Sequence, residues 1–241
     1  MTSELRVAVL QTGRAIPEAL AEHGDYDMMC KRVIGYGPDE ADTFAVLDGH
    51  FPESFEDYDV LVITGSKHGV YEGHPWIAPL ENTIRSAMDA GKRMIGICFG
   101  HQIMAQALGG KAVKSDKGLG VGLMDYRFVN ADRSETPMRL YAWHSDQVVE
   151  APPGAQVIAS SDFCPIAGLR YGDQAITVQP HPEFTKGYME ALISTRRGTA
   201  VLAEDLAVKA QASLAQPAHT AEAEQMLQDF ISQPTLQAIS A

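Results

Sequence analysis

The sequence predicts an α/β fold with a mostly parallel sheet, and three observations carry that expectation. Short, fully apolar runs alternate with helix-spaced segments through the first hundred or so residues. The pattern then changes between 111 and 179 to a succession of strands separated by turns. From 184 onward it changes again, to helical spacing.

The elements follow in order. Arg6 to Leu10 is apolar and runs into Gln11-Thr12-Gly13, a strand entering a loop. Residues 17–34 open on Pro17, a helix-start residue, and carry Leu20, Met28, Met29 and Val33 at helical spacing, with a break expected at Gly24. Thr43 to Leu47 reads as a second strand. Val60-Leu61-Val62-Ile63 reads as a third, apolar throughout as a parallel strand covered on both faces should be. Pro75 to Ala90 is a helix with Ile77, Leu80, Ile84 and Met88 on one face, stopped by Gly91. Met94 to Ile97 is the next strand, and Gln102 to Leu108 the next helix. The strand-rich section comprises Ala112-Val113, Val121–Val129, Arg139–His144, Gln147–Glu150, Gln156–Ala159, Pro165–Arg170 and Gln174–Gln179. Pro152-Pro153-Gly154 and Tyr171-Gly172-Asp173 are turns within it. Glu183–Arg196, the alanine-rich Ala200–Ala215 and Thr220–Ile231 are the closing helices. The whole chain, 1–241, is expected to form one domain, with a core at about 5–195 and a helical extension at 196–241.

Composition narrows the function. A hydrophobic fraction of 45% with 21% charged residues is ordinary globular usage. No apolar run approaches the ~18 residues of a membrane span. The N-terminus lacks the basic region and long apolar core of a signal peptide. Cys30, Cys98 and Cys164 are odd in number and far apart, which suits a reducing cytoplasm better than a disulfide framework. The net charge of −12 argues against nucleic acid as a partner. No spacing such as His-x-x-x-His marks a metal site, and no cofactor is expected.

The chemistry centres on Gly96-Ile97-Cys98-Phe99-Gly100, between the strand Met94–Ile97 and the helix that follows. Strand, Gly-x-nucleophile-x-Gly, helix is the pattern of a nucleophile elbow, in which a sharp turn exposes the central side chain. Cys98 would also lie at a helix N-terminus, where free N–H groups and the helix dipole favour a thiolate. Such a nucleophile needs a base, and the base an orienting group. Gln179-Pro180-His181-Pro182-Glu183, directly after a strand, supplies both. Two prolines define the position of His181, and Glu183 lies close enough to hydrogen-bond its ring. His101 points back beside the elbow in a packing role. His144, in a turn between strands, could line the site, while His23, His50, His68, His74 and His219 have no partner pattern and read as surface residues. Thr64-Gly65-Ser66, at the C-terminal end of its strand, lies where open α/β sheets bind ligands, although taken alone it reads as a plain turn.

Four segments together resemble the class I (triad) glutamine amidotransferases, in that family's order along the chain. They are Thr-Gly-Ser at 64–66, Gly-Ile-Cys-Phe-Gly-His-Gln at 96–102, Trp-His-Ser-Asp at 143–146 and Gln-Pro-His-Pro-Glu at 179–183. The likeness covers roughly 5–195 and is strongest to GMP synthase glutaminase domains and their stand-alone relatives. It implies a flavodoxin-like three-layer sandwich with added antiparallel strands and C-terminal helices. It also implies a Cys98–His181–Glu183 triad that opens a γ-glutamyl amide through a thioester. By the same resemblance, the N–H groups of Gly65 and Phe99 form the oxyanion hole. Gln102, with the backbone around His144, Ser145 and Asp146, holds the glutamyl end of a small-molecule substrate.

Two positions depart from the family pattern. Gly65-Ser66-Lys67 replaces the common Gly-Gly-Pro-like loop, and Phe99 stands where Leu is frequent. No ATP-pyrophosphatase signature or phosphate loop appears. A stand-alone γ-glutamyl hydrolase or peptidase is therefore the first expectation. A glutaminase subunit feeding ammonia to a separate synthase is the second, and a non-catalytic module the third. The related PfpI-like protease fold fits less well, because His often follows its nucleophile whereas Phe99 does so here.

Overall fold

The structure is a computed structural model that describes residues 5–130 and 132–233; the ends of the span expected to form one domain, 1–4 and 234–241, lie outside them. The strands are β1 (Val7–Leu10), β2 (Asp42–Phe44), β3 (Val60–Ile63), β4 (Arg93–Ile97), β5 (Lys111–Lys114), β6 (Gly120–Val129), β7 (Glu135–His144), β8 (Asp146–Glu150), β9 (Gln156–Ser160), β10 (Gly168–Tyr171) and β11 (Ala175–Val178). The helices are α1 (Leu20–His23), α2 (Tyr26–Val33), α3 (Ile77–Asp89), α4 (Phe99–Ala107), α5 (Lys186–Arg196), α6 (Glu204–Ser213) and α7 (Thr220–Ser232). The expected break at Gly24 separates α1 from α2. The second expected strand is shorter than its apolar run, because Val46–Asp48 turns into a 3-10 helix.

Nine strands form the main sheet in the order β2-β1-β3-β4-β11-β10-β9-β6-β7, with β5 and β8 paired separately. From β2 to β11 the pairings are parallel, and from β11 to β7 they are antiparallel. The sheet is thus mixed rather than mostly parallel. The later strands extend the parallel sheet from β11 instead of forming a layer of their own, since the short turn at 172–174 reverses the chain beside its predecessor.

Period-two alternation sorts the parallel strands between two cores. Val9, Val62, Ile95 and Ile176 pack on one face with Cys30 and Val33 of α2 and Leu227 and Phe230 of α7. Ala8, Leu61, Ile63 and Met94 pack on the other with Leu80 and Ile84 of α3 and Ile103 and Met104 of α4. The result is helix, sheet, helix. A third cluster seats Leu192, Ile193, Ala207 and Ala210 of α5 and α6 against Val121, Leu123 and Tyr141 of β6 and β7. Arg93, buried at the start of β4, donates to the carbonyls of Ile231 and Gln233 and so ties the end of α7 to the sheet. Among the described residues no helix is long and apolar enough to cross a membrane.

Candidate active site

The end of β4 shows why this sequence turns where it does. Cys98 has φ 52° and ψ −101°, a conformation that side-chain-bearing residues rarely adopt, and it caps α4. Its N–H donates to Val178 O at 2.8 Å, and its carbonyl accepts from Gln102 N–H at 3.1 Å, so both neighbouring elements hold the strained turn. The flanking glycines are required by contact. A Cβ on Gly100 would lie 2.3 Å from Ile63 O, and one on Gly96 would lie 2.6 Å from Gly100 O. Phe99 and Gly100 follow in the first turn of α4, whose N–H groups have no carbonyl four residues back to bond.

His181 arrives from β11, two residues past its end. Its N–H donates to Tyr141 O at 2.8 Å, and its ring stacks on Phe184 at 4.0 Å between centroids and 6° between planes. Its Nδ1 donates to Glu183 Oε1 at 2.7 Å, with both side chains buried. That bond assigns the tautomer: Nε2 is the free nitrogen of the neutral ring. Nε2 is buried without a hydrogen-bond partner, and the Cys98 side chain acts on the charge of the ring. Catalytic hydrogen bonds often tighten only once substrate binds. Burial pushes the His181 pKa down, but the charge on Glu183 and the interaction with Cys98 push it up more strongly, and the net direction is upward.

Gly65 lies against this group: a Cβ there would sit 3.3 Å from His181 Cε1 and 3.8 Å from Cys98 Cβ. Its loop is pinned from β1, where Thr12 N–H donates to Thr64 Oγ1 at 3.0 Å and the Thr12 hydroxyl donates to Thr64 O at 2.8 Å. Gln102 points back from α4, and its Nε2 donates to Asp146 O at 3.0 Å and to Gln179 Oε1 at 3.1 Å. His144 Nδ1 donates to the same Asp146 carbonyl at 3.1 Å, and burial pushes its pKa down to about 3, so the ring is neutral. The Asp146 carboxylate accepts from Tyr71 Oη at 3.0 Å, and Ser145 O is committed to Ser115 N–H at 2.9 Å.

The structure therefore gathers Cys98, His181, Glu183, Gly65 and Phe99 around one point, with Gln102, His144 and Asp146 on an adjoining wall. Four of the eight buried side-chain polar atoms without partners among the described residues belong to this group, at His144 Nε2, Gln179 Nε2, His181 Nε2 and Glu183 Oε2. Free polar groups at such a site are available to a polar ligand. His101 is away from this point, buried between Thr177 Oγ1 (2.8 Å) and Ile166 O (3.1 Å), in the packing role its spacing predicts.

One reading of the sequence needs correction. His68, His74, His219 and His23 are not partnerless surface residues: the first two rings bond the carboxylate of Glu72, His219 Nδ1 accepts from Arg139 N–H at 3.0 Å, and His23 packs edge-on against Tyr188. Sequence reasoning also passes over Gln179, inside a motif read for its histidine, and Tyr71, whose partner Asp146 is 75 residues away. Nothing local signals either contact.

The glutamine amidotransferase class-I family model matches residues 44–197, which span the elbow, the His181–Glu183 pair and the Gly65 loop. This chain belongs to the class I glutamine amidotransferases. It is 32% identical to gamma-glutamyl peptidase 4 of Arabidopsis thaliana over 71% of this chain and 72% of that protein. It is 33% identical to a GMP synthase of Ralstonia pickettii over 52% of this chain and 24% of that protein. A crystal structure of a glutamine amidotransferase from Thermotoga maritima, 21% identical, superposes with a TM-score of 0.69 over 95% of both chains, which shows the fold. The family is one of hydrolase-like enzymes acting through this α/β scaffold.

Proposed function

We propose that this chain hydrolyses a γ-glutamyl amide bond in a small metabolite or peptide, acting by itself, with Cys98, His181 and Glu183 as its triad. The observation that carries this reading is the strained Cys98 turn facing the buried His181–Glu183 pair. Likeness to a gamma-glutamyl peptidase over about 70% of both chains supports the substrate class.

In this mechanism the Cys98 sulfur attacks the γ-carbonyl carbon. The developing oxyanion lies between the N–H groups of Gly65 and Phe99, donors of a kind typically worth about 3 kcal/mol each to a transition state. Raised in pKa, His181 holds the thiol proton as imidazolium beside Glu183 and delivers it to the leaving amine as the tetrahedral intermediate collapses. The neutral ring then takes a proton from water, whose oxygen attacks the γ-glutamyl thioester. Release of the free γ-carboxylate restores Cys98. Gln102, His144, Ser145 and Asp146 form the wall that receives the glutamyl α-amino and α-carboxylate groups. The three free thiols fit a reducing compartment, and we place the enzyme in the cytoplasm.

The test is amine release by the purified chain from glutamine and a panel of γ-glutamyl amides, beside Cys98→Ala. Turnover of at least one amide, lost in the variant, is expected. Turnover unaffected by the substitution would overturn the reading. The likeness to part of a GMP synthase favours a second reading, a glutaminase subunit that passes ammonia to a separate synthase. Glutaminase activity that is negligible alone and rises in a cell extract would select it.

A further inference from the structure

The loop from Gly65 to Trp76 holds the only cluster of metal-ligating groups found among the described residues, His68, Glu72 and His74, with ligand atoms all within 4.8 Å of one another. His68 Nδ1 and His74 Nε2 both lie 2.9 Å from the same carboxylate oxygen, Glu72 Oε2. The two rings meet edge-on at 4.1 Å between centroids. All three side chains are partly exposed, at 25% for His68, 40% for Glu72 and 35% for His74, so an ion can enter from solvent.

We propose that His68, Glu72 and His74 form a binding site for a divalent transition-metal ion of the Zn2+ class, built into the loop that presents Gly65. Two imidazoles and one carboxylate suit this class and not Mg2+ or Ca2+, which prefer all-oxygen sets. Zn2+ bonds of about 2.0–2.1 Å in tetrahedral geometry put ligand atoms about 3.3 Å apart. The two N···O separations of 2.9 Å thus need to open by only a few tenths of an ångström. Solvent supplies the fourth ligand. On binding, His68 Nδ1 and His74 Nε2 give up the protons they direct at Glu72. A neutral ring moves that proton to its other nitrogen, and a protonated ring releases one to solvent.

The surroundings are arranged to hold such a site. Glu72 Oε2 is already shared between the two rings, so the carboxylate stands where one ion would be bridged by all three side chains. The His74 ring is parallel to Trp76 at 5° and 6.0 Å, and Trp76 in turn packs on Phe99 at 5.4 Å. At the loop's other side Tyr71 bonds Asp146, and the Tyr71 ring lies over Gly69, where a Cβ would be 2.7 Å from it. A metal on His74 is therefore two ring contacts from the turn that carries Cys98. Its expected effect is to stiffen the loop between Gly65 and Trp76.

The experiment titrates Zn2+ by calorimetry into the full chain carrying Cys98→Ala, which removes the competing sulfur of the elbow. Binding of one equivalent is expected, with Co2+ giving the visible absorption of a tetrahedral site. His74→Ala and Glu72→Gln should each weaken binding at least tenfold, and His68→Ala/His74→Ala should abolish it. Because the three side chains are partly exposed, the variants should keep the parent's melting temperature. As a measurement independent of them, the histidine ring resonances of the parent should shift at two residues only. No binding at tenfold molar excess, or binding unchanged in the double variant, overturns the proposal.

Discussion

The two halves of the sheet differ in what they contribute. In the parallel half, β1, β3, β4 and β11 are buried along their whole length, and three of these strands end at the reacting groups: Gly65 after β3, Cys98 after β4 and His181 after β11. In the antiparallel half, β6 and β7 mix buried and exposed positions, and no candidate catalytic group lies at their ends. They supply carbonyls instead: Tyr141 O receives His181 N–H, and just beyond β7 Asp146 O receives Gln102 and His144. Parallel strands deliver all their C-terminal ends to one edge, so side chains far apart in sequence converge there. Antiparallel strands do not, and in this molecule they buttress what the others deliver.

The largest expected effect breaks the parallel half at its tip. Cys98→Ala should lower kcat on the best γ-glutamyl amide by about 10^4-fold or more, measured under single-turnover and steady-state conditions, with little change in unfolding free energy. Glu183→Gln comes next. It keeps the side-chain shape but removes the charge that holds His181 protonated, and a loss of roughly 10^3-fold in kcat is expected.

That pair also sets a pH dependence. A histidine whose folded pKa is raised stabilises the fold fully below its unfolded value near 6.5, and the contribution fades as pH rises toward the folded value. Denaturant unfolding of Cys98→Ala, in which no thiol gives up a proton on folding, should therefore show a decline in stability between pH 6.5 and 9 that adding Glu183→Gln flattens. Burial lowers the pKa of His101 to about 4, and the opposite sign applies. Its contribution is present above pH 6.5 and lost as pH falls toward 4, so acid unfolding should be shallower in His101→Gln.

Gly100→Ala tests the scaffold rather than the chemistry. With a methyl group driven toward Ile63 O, a destabilisation of about 3 kcal/mol is expected in urea unfolding, with activity lost in proportion to unfolded protein. Tyr71→Phe is the smallest change. It removes one exposed hydroxyl from Asp146 and should cost under about 1 kcal/mol, appearing as a few-fold rise in KM with kcat retained.

The contrast between the halves also explains which parts of the site are legible in the sequence. Gly96-Ile97-Cys98-Phe99-Gly100 is legible because its glycines serve contacts within a few residues of themselves and with the adjoining strand. His181 is legible because two prolines and a carboxylate two residues on define it locally. Gly65 is weaker: taken alone its segment reads as a turn, and only its place in the order of four motifs singles it out. Gln179 and Tyr71 carry no readable signal, for their partners lie 77 and 75 residues away.

By itself, then, the sequence determined the backbone chemistry of the site, because glycine contacts, proline restriction and apolar period act over a few residues. The tertiary structure decided which ends meet. The antiparallel strands join β11 in one sheet, Gln102 and His144 converge on one carbonyl, and His68 and His74 close on Glu72. Those outcomes depend on strand order and loop path, which are set by packing over the whole chain and leave no periodic trace in it.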